Sequence, residues 1–145
     1  MTALLALDSV VKDYKSEAGS FRALHGVTMA VVSRELVAFM GPSGCGKSTL
    51  MIIIGGVDTP TEGTYRFEGT DTATLSESAL AGLRNKGIGF VFQQFNLLPR
   101  LSALANVALP MVYSGVSKRD REARAQQLLA SVGIGDKPRS RPSQL

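Results

Sequence analysis

The chain has 145 residues, 44% of them hydrophobic, which is one domain's worth of sequence with enough apolar content to bury a core. Its net charge of +4 is spread along the chain rather than gathered into a patch, so nucleic-acid binding is not expected, and a single cysteine excludes an intrachain disulfide framework. No apolar run approaches the roughly 20 residues of a membrane span, and Met1–Leu4 lacks the basic start of an export signal, so the chain reads as soluble.

Ala3–Tyr14 alternates loosely and predicts a strand, followed by a turn over Ser16–Ser20. Arg22–Val32, rich in Val, Thr and Met, predicts a second strand, and Ser33-Arg34 a break. Glu35–Met40 is short and apolar, as expected of a strand buried on both faces. A glycine-rich loop follows, then an apolar helix over Lys47–Val57 closed by Gly55-Gly56. Thr59–Gly63 predicts a turn, Thr64–Glu68 a strand, and Ser76 is placed to cap a short helix through Arg84. Gly87–Phe92 predicts another strand. Ser102 is placed to cap a helix running towards Tyr113, which Pro110 should kink or interrupt. Ser117 caps a further helix, with Ala125, Leu128, Leu129 and Val132 on one face and Gly133 ending it. Gly135–Leu145 is polar, contains prolines and predicts loop. The order of elements predicts an α/β protein with an antiparallel β addition and a helical addition.

The chemistry is carried by Gly41-Pro42-Ser43-Gly44-Cys45-Gly46-Lys47-Ser48, which fits the phosphate-binding pattern G-x-x-x-x-G-K-[ST]. Glycines let the backbone curl close around a phosphate and aim successive N–H groups at it. The helix that follows presents its positive end to the same anion. Lys47 is placed to reach the β- and γ-phosphates of ATP, and the Ser48 hydroxyl to ligate Mg2+. A glycine-rich turn by chance is the bland alternative, and the apolar strand before and apolar helix after the loop argue against it.

Gly41–Leu50 reads GPSGCGKSTL and resembles the Walker A segment of ABC transporter ATPases. Ile88–Pro99, reading IGFVFQQFNLLP, resembles the Q-loop region of that family, particularly the branch serving macrolide export and lipoprotein release, and Leu50–Gly63 is similar to the same branch. The resemblance implies a P-loop NTPase fold of ABC ATPase type, with residues 1–145 forming part of the nucleotide-binding domain and about 96–135 its helical subdomain. It implies ATP and Mg2+ as cofactors and Gly41, Ser43, Gly44, Cys45, Gly46, Lys47, Ser48 and Thr49 as nucleotide contacts. Thr49 would meet the α-phosphate, and Tyr14 matches the aromatic that stacks on adenine. Gln93 matches the Q-loop glutamine, a catalytic residue that approaches Mg2+ and the attacking water. The implied partners are an integral membrane permease and a second ATPase subunit, with the protein cytoplasmic and peripheral on the inner face of the membrane. His25, the only histidine, lies too early to be the family's switch histidine and reads as structural or surface.

The sequence also departs from the family. Neither the LSGGQ signature, nor an Asp-Glu pair closing an apolar strand, nor a late histidine occurs in these 145 residues. The expectation is therefore ATP binding at most by this chain, with ATP hydrolysis belonging to a complete domain. Ser33-Arg34 stands where the family has a glycine turn, and an arginine does not readily adopt a positive φ. Alternative readings are a non-catalytic nucleotide- or partner-binding remnant, and another P-loop NTPase or kinase.

Overall fold

The structure, a computed structural model, describes residues 3–17 and 19–145. Met1 and Thr2, part of the Met1–Leu4 stretch, and Ala18, part of the expected Ser16–Ser20 turn, lie outside the described residues. The chain divides into two compact units, Met1–Gly89 and Phe90–Leu145.

The first unit is built on a long hairpin of β1 (Ala3–Ser16) and β2 (Gly19–Val32). It continues through α1 (Lys47–Ile54), β3 (Glu62–Phe67), the short β4 (Thr70–Asp71) and α2 (Glu77–Gly87). The four strands form one antiparallel sheet in the order β2-β1-β3-β4. Both hairpin strands run further into the expected Ser16–Ser20 turn than the sequence suggests, since Ser16 pairs with Gly19. Leu7, Val10, Leu24, Leu50, Ile53 and Tyr65 form the core, where α1 lies on the sheet. Val10 and Ile53 are fully buried, each contributing about 1.5–3 kcal/mol of transfer free energy.

The hairpin is irregular at defined points. Ser9, at φ 52, sits in a bulge opposite Thr28, whose hydroxyl accepts the Ser9 N–H at 2.9 Å. The register shifts again at Leu4, at Gly26 and at Ala23, the last between the pairs Lys12↔Leu24 and Asp13↔Arg22. β3 and β4 are joined by Glu68-Gly69, both at positive φ, as a two-residue hairpin turn with the sheet's twist demands. Arg34 does adopt φ 68, and the turn is held by the Glu35 carboxylate accepting the Val32 N–H at 2.9 Å.

α1 ends three residues before the expected Val57. Gly56 turns left-handed at φ 64, and the N–H groups of Gly56 and Val57 return to the carbonyls of Ile53 and Ile52. Tyr65, 2% exposed, donates its hydroxyl to the Ile54 carbonyl at 2.7 Å, tying β3 to that helix end. Burial pushes the Tyr65 phenol up to about 12 from its usual 10.0. A raised acid favours folding while it stays protonated, so this contribution is intact below pH 10.0 and is lost as pH rises towards about 12. Alkaline unfolding should therefore coincide with a late rise in tyrosinate absorbance. The Tyr65→Phe variant is expected to lack that rise and to lose about 1 kcal/mol at neutral pH, read from urea midpoints.

The segments 35–40 and 88–92 correct the sequence reading: neither joins a hydrogen-bonded ladder. Their apolar pattern suits strands flanked on both sides, and no described segment of this chain pairs with them. Leu36, Met40 and Val91 are consequently almost wholly exposed, while Phe39 alone packs against the core.

The second unit holds α3 (Ala103–Tyr113) and α4 (Lys118–Ser131), which pack on each other, with Ala103, Ala108, Ala125 and Leu129 buried. Ser76, Ser102 and Ser117 cap α2, α3 and α4 as expected, each side chain accepting a backbone N–H in the first turn. Pro110 neither ends nor interrupts α3, which remains helical to Tyr113, although proline supplies no backbone donor at that position. Leu128 and Val132 do not join Ala125 and Leu129 in the interior; Val132 is 70% exposed. The tail after Gly135 is ordered by α3, whose Ala103 and Leu104 N–H groups donate to the carbonyls of Ser140 and Pro138. No helix among the described residues is long and apolar enough to cross a membrane.

Candidate nucleotide-binding site

The glycine-rich loop runs from the exposed segment 35–40 to the first turn of α1. Gly44 and Gly46 both have left-handed backbone, at φ 81 and φ 92. Gly46 is fixed by its surroundings as well: a Cβ there would lie 2.6 Å from the Ala23 carbonyl oxygen and 2.9 Å from Leu24 Cδ2. The bulge in β2 therefore presses its backbone against the loop, and only glycine leaves room.

The start of α1 is left open. Its cap residue is Gly46, no side chain among the described residues caps the first N–H groups, and no acidic residue stands in the first turn. The positive end of the helix is thus uncompensated by protein anions, as a site for phosphate requires. Lys47 adds a full positive charge at the same place. Its ammonium donates to the carbonyls of Gly41 at 2.8 Å and Pro42 at 2.7 Å and contacts Cys45 Sγ at 3.4 Å. All three ammonium donors are engaged by the loop, drawing it into a ring. A phosphate entering the loop would replace neutral carbonyl acceptors with charged ones, strengthening each bond that the ammonium exchanges.

Above the loop opens a cavity of about 370 Å³, lined by Phe21, Ala23, Ser43, Gly44, Gly46, Lys47, Ser48 and Thr49. Six of the expected nucleotide contacts converge here; Gly41 and Cys45 belong to the same loop, with a Cβ on Gly41 placed 2.8 Å from Cys45 Sγ. A larger cavity of about 670 Å³ beside Phe67, Leu75 and Leu83 contains none of the motif residues.

Tyr14 stands on β1 directly opposite Phe21 and is not among the residues lining the cavity. It belongs to a polar cluster anchored on Asp58. Lys12, 9% exposed, donates to Asp58 Oδ1 at 2.7 Å and to the Thr59 carbonyl at 2.8 Å. The Lys12 ammonium also lies 5.2 Å from the Tyr14 ring centre, and the Tyr14 hydroxyl reaches Asp58 Oδ2 at 3.4 Å. Burial raises the Asp58 carboxyl, and bonds from Lys12, the Thr59 N–H and Tyr14 outweigh it, leaving the group below 3.8. On the opposite face of the hairpin Asp13 accepts two bonds from Arg22, at 2.8 and 2.9 Å, which hold its carboxyl below 3.8.

Gln93 belongs to the second unit, on an exposed bend after Phe92. Phe90 and Phe92 stack there, with ring centres 5.6 Å apart. His25 is exposed on β2. The cavity residues that sequence reasoning passed over are Phe21 and Ala23, both on β2.

Comparison with known proteins bears on this geometry. The chain is 46% identical over 142 residues to the uncharacterized ABC transporter ATP-binding protein YknY of Bacillus subtilis, covering 98% of this chain and 62% of that protein. It is 47% identical over 144 residues to the macrolide export ATP-binding/permease protein MacB of Azoarcus, covering 99% of this chain and 22% of that protein. Among solved structures it resembles the ATP-binding cassette MJ0796, a dimer in a post-hydrolysis state bound to ADP and Pi. That match has a TM-score of 0.86 and 39% identity, and covers 97% of this chain and 62% of the other. The chain thus spans less than two thirds of the length of these relatives. The ABC transporter family pattern matches residues 24–145, which include the whole loop, and the chain belongs to that family.

Proposed function

We propose that this chain is the phosphate-holding part of the ATPase subunit of an ABC transporter, coupling ATP binding and hydrolysis by the complete subunit to a membrane permease. Support comes from the cavity over the loop, where Ser43, Gly44, Gly46, Lys47, Ser48 and Thr49 meet at an uncapped helix start. The first N–H groups of α1 and the Lys47 ammonium would hold the phosphates of ATP. Ser48 would supply one oxygen to Mg2+, an ion that usually takes few protein ligands beside phosphates and water. Bound Mg2+ would neutralise charge on the phosphates. Thr49 is assigned to the α-phosphate, Tyr14 to the adenine and Gln93 to the Mg2+ and attacking water.

The MacB-like relatives favour export or lipoprotein-release transport, a permease partner, and a location at the inner face of the membrane through that permease. The dimeric MJ0796 neighbour favours pairing of two complete subunits. Residues about 96–135, containing α3, are assigned to the helical subdomain of the nucleotide-binding domain.

Turnover requires the metal, the water and the developing charge to be controlled together. Loop and glutamine alone do not supply that set, so these 145 residues are proposed to bind ATP without turning it over. In a phosphate-release assay with Mg-ATP, the chain and its Lys47→Ala variant should both stay at the blank rate. Robust release that depends on Lys47 would overturn this proposal.

A further inference from the structure

Phe21 is 62% exposed, a large apolar side chain on an edge strand, and it forms one wall of the cavity over the phosphate loop. The register of the hairpin explains how it comes to be there. Lys12 pairs with Leu24, and Leu24 points into the core against α1. Asp13 pairs with Arg22 on the other face, where their charges meet. Strict alternation from Leu24 would send Phe21 to that charged face. The bulge at Ala23 inserts one residue, so Phe21 returns to the loop side opposite Tyr14. The same bulge presses the Ala23 carbonyl on Gly46. One irregularity of β2 thus shapes the loop and turns an aromatic ring over it.

Tyr14 is restrained beside this ring by the Lys12 ammonium and Asp58. Directly opposed residues of an antiparallel pair lie on one face, so the two aromatics extend the same wall. The loop and Lys47 offer positive charge and N–H donors, suited to phosphates; Phe21 offers only an apolar face, suited to the rest of a nucleotide.

Building on the assignment of the loop to ATP, we infer that Phe21 is a second aromatic contact for the nucleoside, packing on base or ribose next to Tyr14. Because phenylalanine has no polar group, its contribution is stacking and exclusion of water, not reading of base edges.

The test compares ATP with inorganic tripolyphosphate, which has the phosphates and no nucleoside, by titration calorimetry on the 145-residue chain. Phe21→Ala should weaken ATP about tenfold and leave tripolyphosphate unchanged within about twofold. Phe21→Trp should retain ATP affinity. Since the chain has no tryptophan, that variant also gives a single indole signal, expected to be quenched by ATP and not by tripolyphosphate. Unchanged ATP affinity in Phe21→Ala, equal weakening of both ligands, or an indole signal indifferent to saturating ATP would overturn the inference. Failure of the loop assignment shows separately, as tripolyphosphate binding that is absent or survives Lys47→Ala.

Discussion

Gly46→Ala is expected to abolish nucleotide binding, with affinity for ATP falling on the order of a hundredfold or more. Two effects add. The left-handed backbone at φ 92 costs a non-glycine residue about 1–2 kcal/mol. The new Cβ also stands 2.6 Å from the Ala23 carbonyl, a backbone atom that cannot swing aside. Either the bulge in β2 or the start of α1 must move, and both line the cavity. Stability should fall by about 2–4 kcal/mol, since strain and close contact act at one point. Titration calorimetry and urea unfolding check the two parts independently. Wild-type affinity in this variant would mean that the loop does not need the observed conformation.

Gly63→Ala should be the most destabilising single methyl addition to the sheet. Gly63 lies at φ 84 against the Ser9 bulge, where a Cβ would be 2.4 Å from the Ser9 carbonyl oxygen and 2.5 Å from that of Asp8. β1 is the central partner of this sheet, so a shift there disturbs its pairing with both β2 and β3. We expect a loss of about 3–4 kcal/mol, a large share of the stability of an ordinary domain. Gly69→Ala provides the control. Gly69 has a similar φ of 79, but a Cβ there meets nothing within 4 Å, so only the backbone cost of about 1–2 kcal/mol remains. Equal urea midpoints for the two variants would show that the bulge yields.

These glycines illustrate what was legible in the sequence and what was not. The loop from Gly41 to Ser48 was visible because the phosphate-binding pattern it matches fixes both residue types and spacing. The serine caps of α2, α3 and α4 were visible because capping is local: Ser76, Ser102 and Ser117 each need only a backbone N–H a few residues on. Bulges are not local in that sense. The inserted residue at Ala23 is defined by the partner strand, so alternation alone would put Phe21 on the wrong face, and Phe21 went unremarked in the sequence. Segments 35–40 and 88–92 failed for a related reason: a strand needs a neighbour to pair with, and no described segment pairs with either. Pro110 does not interrupt α3, which continues through it to Tyr113 while packing on α4. Val132 followed the helical period but fell at the cap of α4, where the chain turns away.

Within the loop, Lys47 is the side chain that carries full charge, and from the start of α1 it reaches back to the Gly41 and Pro42 carbonyls. The most direct test of the loop as a phosphate holder is therefore the ATP dissociation constant of the chain and of Lys47→Ala, measured by titration calorimetry with Mg2+ present. Binding is expected to weaken by about thirtyfold or more, as for loss of charged hydrogen bonds to a phosphate, with the fold retained by circular dichroism because the ammonium is exposed. Equal dissociation constants for the two proteins would contradict the assignment of this loop to ATP.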